Sequence, residues 1–199
     1  KARRKTWDAY GDKFREHATE FNTAEFLAAL AQAETAGNPI ARTYWNWRRT
    51  SNPFRVFTPA SSSVGLYQMT DGTFNECRRL CIHRGRVVAE GRWHEFRACW
   101  FNGLYSRLIP SHAIEMSSAC LHRKTSAVLA KTGASKAPAH LKRDLAAVIQ
   151  LCGAGAGESY ARKRFHFAPG QRCGDHDPAD YLKRVRSLEK TFAKIAKED

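Results

Sequence analysis

The chain has 199 residues, 43% of them hydrophobic, and a formal net charge of +14. That length fits one domain, or one domain with a short arm, and the composition can bury a sizeable core. No stretch approaches the roughly 20 apolar residues that a membrane helix needs. The charge implies an anionic partner, and nucleic acid, an acidic membrane surface and a carboxylate-rich cell wall all qualify. Basic residues run along the whole chain, so a generally cationic surface is the plain alternative.

The chain opens Lys1-Ala2-Arg3-Arg4-Lys5 with no apolar run behind it, which reads as a mature or trimmed form. Residues 1–21 form a basic arm with Trp7, Tyr10 and Phe14 set into it, either a helix packed on the domain or a less ordered lead-in. Residues 22–199 read as a single domain. Its first helix is expected to begin near Asn22, which has capping-box spacing to Glu25. Phe26, Leu27, Leu30, Ala31 and Glu34 then recur at helical intervals, and Gly37 and Pro39 stop the helix. Residues 38–64 read as irregular and hold Tyr44, Trp45, Trp47, Phe54 and Phe57. A second helix is expected from Thr70 or Asp71 to about His83, with Cys77 and Cys81 one turn apart on one face. Gly85 would end it, and a turn or small hairpin would cover 85–92.

A helix is expected over Glu95 to Arg107. Pro110-Ser111 opens the next, with Ile114, Leu121 and Val128 in register until Gly133. Pro138 suits a first helical position, and Leu141, Leu145, Val148 and Cys152 continue one face. Gly153 to Gly157 reads as a glycine-rich break. Asp177-Pro178 caps the last helix, whose stripe is Tyr181, Val185, Leu188, Phe192 and Ile195. No alternating strand pattern, internal repeat or low-complexity tract stands out, so the expected class is all-α.

The six cysteines, Cys77, Cys81, Cys99, Cys120, Cys152 and Cys173, form an even set that points to three disulfides and an oxidising compartment. Cys77, Cys81, His83, His94 and Cys99 are the zinc alternative. No CxxC pair is present, however, and the spacings match no common zinc template. Free buried thiols are the third reading.

Glu34 has the clearest physical case for chemistry. It shares the apolar face of its helix with Leu27, Leu30 and Ala31, where desolvation favours a neutral carboxyl. It also lies in the last turn, where the negative end of the helix dipole disfavours a carboxylate. Both push its pKa upward, as a general acid working near neutral pH requires. By position alone, an edge glutamate reaching solvent is the commoner explanation.

The residues beyond Glu34 alter that balance. Glu34-Thr35-Ala36-Gly37-Asn38-Pro39 resembles the E-S-x-x-N-P signature of the soluble lytic transglycosylases, which are similar to goose-type lysozyme. Ser63-Val64-Gly65-Leu66-Tyr67-Gln68-Met69 resembles that family's G-L-M-Q motif. Ile114 to Leu121 resembles its N-I-x-x-G-x-x-Y-L helix, Ala154-Gly155-Ala156-Gly157 the end of A-Y-N-A-G-P-G, and Tyr181 to Val185 the closing Y-V-x-x-V helix. The five motifs keep the family's order across most of residues 25–190.

The resemblance implies a lysozyme-like helical fold and cleavage of peptidoglycan glycan strands, with neither metal nor organic cofactor. Glu34 would be the single acid/base group. It would protonate the glycosidic oxygen between N-acetylmuramic acid and N-acetylglucosamine, then take the proton of the muramic C6 hydroxyl as that oxygen closes on C1. A usual glycosidase needs a second carboxylate, whereas here the substrate supplies the attacking oxygen. Ser63, Gly65, Tyr67 and Gln68 would border the sugar site, and Tyr181 would orient the Glu34 carboxyl. Gly65 has packing as its plain alternative, and Tyr181 the core stripe. The expected location is periplasmic or secreted, with the signal peptide removed. The expected partner is the glycan strand, engaged by a monomer; a secretion or envelope-assembly partner stays open.

Departures from the family pattern fall around the site. The family's serine after the glutamate is Thr35. The glycine and tyrosine of the third motif are Ser117 and Cys120, and the Tyr-Asn of the fourth are Cys152 and Gly153. By family position Cys120 and Cys152 could pair; the competing pair is Cys152 with Cys173. The gap between Glu34 and Gly65 exceeds the family's usual spacing and carries Tyr44, Trp45, Trp47 and Arg48. Aromatic faces stack on sugar rings and arginine suits carboxylates, so this segment, Trp47 in particular, is expected to wall the cleft. Anchoring of a long loop is the alternative. Glu158 is the best candidate for a second carboxylate, though a poor one. Asp175, His176 and Asp177 resemble a metal cluster, but Asp177 has a sufficient role as a helix cap.

Other readings stay open from the sequence. A muramidase or chitinase-like hydrolase of the same fold would add water. A non-catalytic wall-binding or assembly protein could have kept the fold. Nucleic-acid binding has the charge in its favour, but no helix-turn-helix or zinc-finger spacing supports it.

Overall fold

The computed structural model describes residues 2–35, 45–47, 57–59, 67, 69–89, 99, 109–174 and 176–199. In chain order the elements are α1 (Ala2–Glu16), α2 (Ala24–Thr35), β1 (Trp45–Trp47), β2 (Phe57–Pro59), α3 (Asp71–Cys77), β3 (Leu80–His83), β4 (Arg86–Ala89), α4 (Pro110–Lys131), α5 (Ala139–Cys152), α6 (Ala154–Arg162) and α7 (Pro178–Glu198). Helices dominate. The strands form two separate antiparallel pairs, β1 with β2 and β3 with β4.

Helix α2 is central. Phe26 through Ala31 are all buried, the pattern of a helix surrounded by protein rather than edged by water. Its most extensive contacts are with α7, followed by α1. The stripe Leu182, Val185, Leu188, Phe192 and Ile195 of α7 is buried as its spacing requires. Helix α1 contributes Trp7 and Phe14, so the basic arm is a helix built into the core. Its start is tied to the end of α7: the Trp7 indole donates to Asp199 at 2.9 Å, and Arg4 pairs with Glu198.

The expected start of α2 shifts by one residue. Thr23, not Asn22, caps the helix, its hydroxyl accepting from the Phe26 amide at 3.2 Å. Asn22 is fully buried and donates its side-chain amide to the Ser118 carbonyl of α4 at 3.2 Å. Both residue types favour caps, and the contact with α4 takes Asn22 for another role.

Helix α4 begins with Pro110 in its first turn and is buried continuously from Ala113 to Leu121. It packs on α5, α6, α3 and the β3–β4 pair. Between α5 and α6 the glycine-rich break shrinks to one residue, Gly153 at φ 89°, and Gly155 and Gly157 are helical. Gly157 is a packing requirement: a Cβ there would lie 2.4 Å from Ile149 Cγ1 and 3.3 Å from Leu145 Cδ1. Burial of Asp144 on α5 is offset by a two-armed interaction with Arg186 of α7, one arm being Nε to Oδ1 at 3.0 Å.

The expected helix over 70–83 ends at Cys77, and its second half is strand β3. Leu80, Cys81 and Ile82 are buried, and β3 pairs with β4 in the register His83↔Arg86 and Leu80↔Ala89. The hairpin therefore covers 80–89, earlier than the expected 85–92, and Cys77 and Cys81 do not share a helix face. The two turn residues Arg84 (φ 51°) and Gly85 (φ 76°) both have positive φ, as a two-residue hairpin turn needs. Within the segment read as irregular, Trp45 pairs with Pro59 and Trp47 with Phe57. The helix expected over Glu95 to Arg107 lies outside the described residues, Cys99 excepted.

All six cysteines are bonded: Cys77–Cys120, Cys81–Cys99 and Cys152–Cys173. The suggested Cys120–Cys152 pair is replaced by Cys77–Cys120, which fastens α3 to α4. Cys152–Cys173 joins the end of α5 to the loop before α7. The cysteines are thus committed to sulfur–sulfur bonds, which places the chain in an oxidising compartment. Among the described residues no helix is long and apolar enough to cross a membrane.

Candidate active site

Glu34 stands in the last turn of α2, where the buried face of that helix meets the first turns of α7. Asp177 caps α7 by accepting from the Ala179 amide at 3.0 Å and the Asp180 amide at 3.3 Å. That cap sets the helix phase and turns Tyr181 toward α2. The Tyr181 phenol donates a 2.9 Å hydrogen bond to Oε1 of Glu34. Arg184, one turn further along α7, donates to the Ala33 carbonyl and holds the end of α2. His176, directly before the cap, is paired through its backbone with Cys173, by bonds of 3.0 and 3.1 Å.

The electrostatics of this corner are opposed. Burial pushes the Glu34 carboxyl above its ordinary value of 4.5, and this is the largest effect. The Tyr181 hydrogen bond and the charges of Arg184 and His176 pull the other way without overcoming it. Burial, with the adjacent Glu34, lifts the Tyr181 phenol well above its usual value, so it stays a proton donor throughout the working pH range. Oε1 is therefore committed to Tyr181. Among the described residues no other hydrogen bond reaches Glu34, so Oε2 has no partner among them. A protonated carboxyl with one oxygen fixed and one available can act as a general acid, and once ionised as a general base.

A second feature gathers the other motif segments. A cavity of about 230 Å³ is lined by Tyr67 and Met69 from the second motif, Ser117 and Cys120 from the third, and Gly153 and Ala154 at the α5–α6 junction. Lys124 and Gln150 add polar groups to its wall. Three of the five positions at which the sequence departs from the motifs it resembles, Ser117, Cys120 and Gly153, line this cavity. Glu34 is not among the lining residues; the connection to α2 is Tyr67, whose phenol donates to the Leu27 carbonyl at 2.9 Å. Tyr67 is only 2% exposed. Its hydroxyl serves α2, so the residue braces the cavity rather than offering that group to a sugar.

Ser63, Gly65 and Gln68 lie outside the described residues, as does the side chain of Trp47. Glu158 is engaged by Lys131 at 2.9 Å and Arg162 at 3.0 Å, which hold its carboxyl below the ordinary range. That favours an ion-paired surface group over an acid. Asp177 is a cap, and Asp175 lies outside the described residues. Arg184 and His176 were not apparent as neighbours of Glu34 from the sequence. Arg184 follows Tyr181 at helical spacing, a signal that could have revealed it; His176 had none.

No family model, curated protein or solved structure matches the chain.

Proposed function

We propose that the chain is a peptidoglycan lytic transglycosylase of lysozyme-like fold, located in the periplasm or secreted, with Glu34 as its single acid/base group. The observation that carries this reading is the Glu34 carboxyl, its pKa raised by desolvation and one oxygen held by Tyr181. Family resemblance at both ends of that hydrogen bond supports it. So does the meeting of residues from three further motif segments around one cavity.

In the proposed reaction, Glu34 gives its proton to the glycosidic oxygen as the bond from C1 of N-acetylmuramic acid breaks. The resulting carboxylate takes the proton of the muramic C6 hydroxyl, and O6 forms a bond to C1. No water is consumed and Glu34 ends as it began, protonated. The C6 hydroxyl supplies the oxygen that a second carboxylate would otherwise activate from water. Tyr181 is a positioning residue: it fixes the carboxyl's rotation and stabilises the ionised form between the two proton transfers. Arg184 supplies positive charge near that transient carboxylate.

The test is product analysis by mass spectrometry on purified peptidoglycan. The reading predicts 1,6-anhydromuramoyl ends. Reducing ends would assign the chain to hydrolases of the same fold, and absence of cleavage would favour a wall-binding or assembly role.

A further inference from the structure

Away from Glu34, the β3–β4 hairpin and α4 enclose a groove whose walls carry Arg84, Arg86 and Arg123, with Leu80, Val87 and Val88 between them. All three arginines are exposed, and among the described residues none is held in an ion pair. The carboxylate beside them, Glu20, faces Lys142 at 3.8 Å. Burial lowers the pKa of His122 in the same wall, and its Nδ1 is 2.8 Å from the Thr19 hydroxyl, so it adds no charge near neutral pH. The groove therefore presents guanidinium groups with no ion-pair partner among the described residues, beside short aliphatic side chains.

Two observations mark it as more than a share of the general positive charge. Arg84 occupies a positive-φ turn position (φ 51°). Asn, Asp or Gly is favoured there, and a long side chain is a conformational cost without evident structural return. The hairpin is also held rigidly. Cys81–Cys99 ties β3 to residue 99, and Cys77–Cys120 fastens the helix leading into the hairpin to α4. The arginines are thus presented on a braced frame, which reduces the ordering cost of binding.

We propose that this groove binds an acidic peptide, specifically the carboxylate-bearing stem peptides attached to the glycan strand, as an anchoring site separate from Glu34. The choice of peptide rests on the proposed function. The chemistry suits it: planar guanidinium groups pair with carboxylates through two parallel hydrogen bonds, and the partly exposed Val87 and Val88 accept alanine methyls and aliphatic stems.

The experiment is a calorimetric titration of the full chain with a synthetic stem tetrapeptide, its fully amidated counterpart and, in parallel, short duplex DNA. The parent should bind the acidic peptide with an affinity that falls as salt rises. Arg84→Gln, Arg86→Gln and Arg123→Gln combined should weaken that binding by about tenfold or more, as expected for three exposed charge contacts. Arg84→Asn should raise the melting temperature, since asparagine suits the turn, while weakening binding; a merely structural arginine would not give opposite signs. The proposal is overturned if the triple variant binds within about twofold of the parent, if the amidated peptide binds equally well, or if DNA binds more tightly than the acidic peptide. Cleavage of peptide-free glycan, measured on the same proteins, should not change with the arginines. A parent that binds the peptide and cleaves no glycan would refute the proposed function and leave the groove assignment standing.

Discussion

The phenol of Tyr181 and the carboxyl of Glu34 meet at 2.9 Å across 147 residues of sequence. The bond favours the ionised carboxylate, so removing it should raise an already raised pKa. If the active free enzyme carries protonated Glu34, Tyr181→Phe shifts the alkaline limb of the pH–rate profile to higher pH. It should also lower kcat by about tenfold, the value of a hydrogen bond to a charged group, with little change in KM. Arg184→Gln should move the limb in the same direction. A Tyr181→Phe profile superimposable on the parent's would remove tyrosine from the mechanism.

Glu34 should cost stability near neutral pH. Its folded pKa lies above the ordinary 4.5, so between those values the folded state binds more protons than the unfolded state. Stability contributed by this group therefore falls as pH rises through that window. Glu34→Gln cannot ionise and still accepts from Tyr181. It should stabilise the chain at pH 7 by on the order of 1 kcal/mol, seen as a rise of roughly 2–4 °C in melting temperature. The difference should close as the pH falls below 4.5. A variant less stable than the parent at neutral pH would contradict the burial argument.

Cys152–Cys173 closes a separation of 21 residues and holds the loop that delivers His176 and the α7 cap. Replacing both cysteines by alanine should cost about 3 kcal/mol of stability by the loop-closure estimate. Activity should fall at temperatures where the variant remains folded, because the loop beside Glu34 loses its tether. Denaturant melts and turnover on one preparation would measure both. Full turnover by the folded variant would make the bond a stabiliser only.

Gly157→Ala tests whether the fourth motif's glycine is there for packing. Its Cβ would clash with Ile149, which is buried, so α6 must move away from α5. A loss of about 1–3 kcal/mol is expected from overpacking. Gly155→Ala, with nothing within 4 Å of the added carbon, should be neutral or slightly stabilising. Equal effects at the two positions would contradict the assignment.

Helices α4, α5 and α7 were legible in the sequence because their signals are local. Pro110 opens one, Pro138 precedes another, Asp177 caps the third, and each keeps a single apolar stripe. The end of α3 was not legible. Leu80 to Ile82 is a short apolar run compatible with either helix or strand, and Arg84 is not a residue that advertises a hairpin turn. Gly157 read as a break because spacing cannot reveal that Ile149 lies against it. The sequence left Cys120–Cys152 and Cys152–Cys173 both open for the same reason, since pairing depends on where helices come together in space, and the second is the one formed. At the site, Glu34 and Tyr181 were found through the motifs. Arg184 and His176 were missed because their relevance comes from α7 packing against α2.

The central claim is that Glu34 cleaves glycan strands by ring closure. Its most direct test is digestion of purified peptidoglycan by the parent and by Glu34→Gln, with the released fragments read by mass spectrometry. The account predicts anhydromuramoyl ends from the parent, and from the variant a loss of at least about a thousandfold in their rate of formation, reflecting removal of both proton transfers. Reducing ends from the parent, or anhydro ends formed by the variant at the parent's rate, would contradict it.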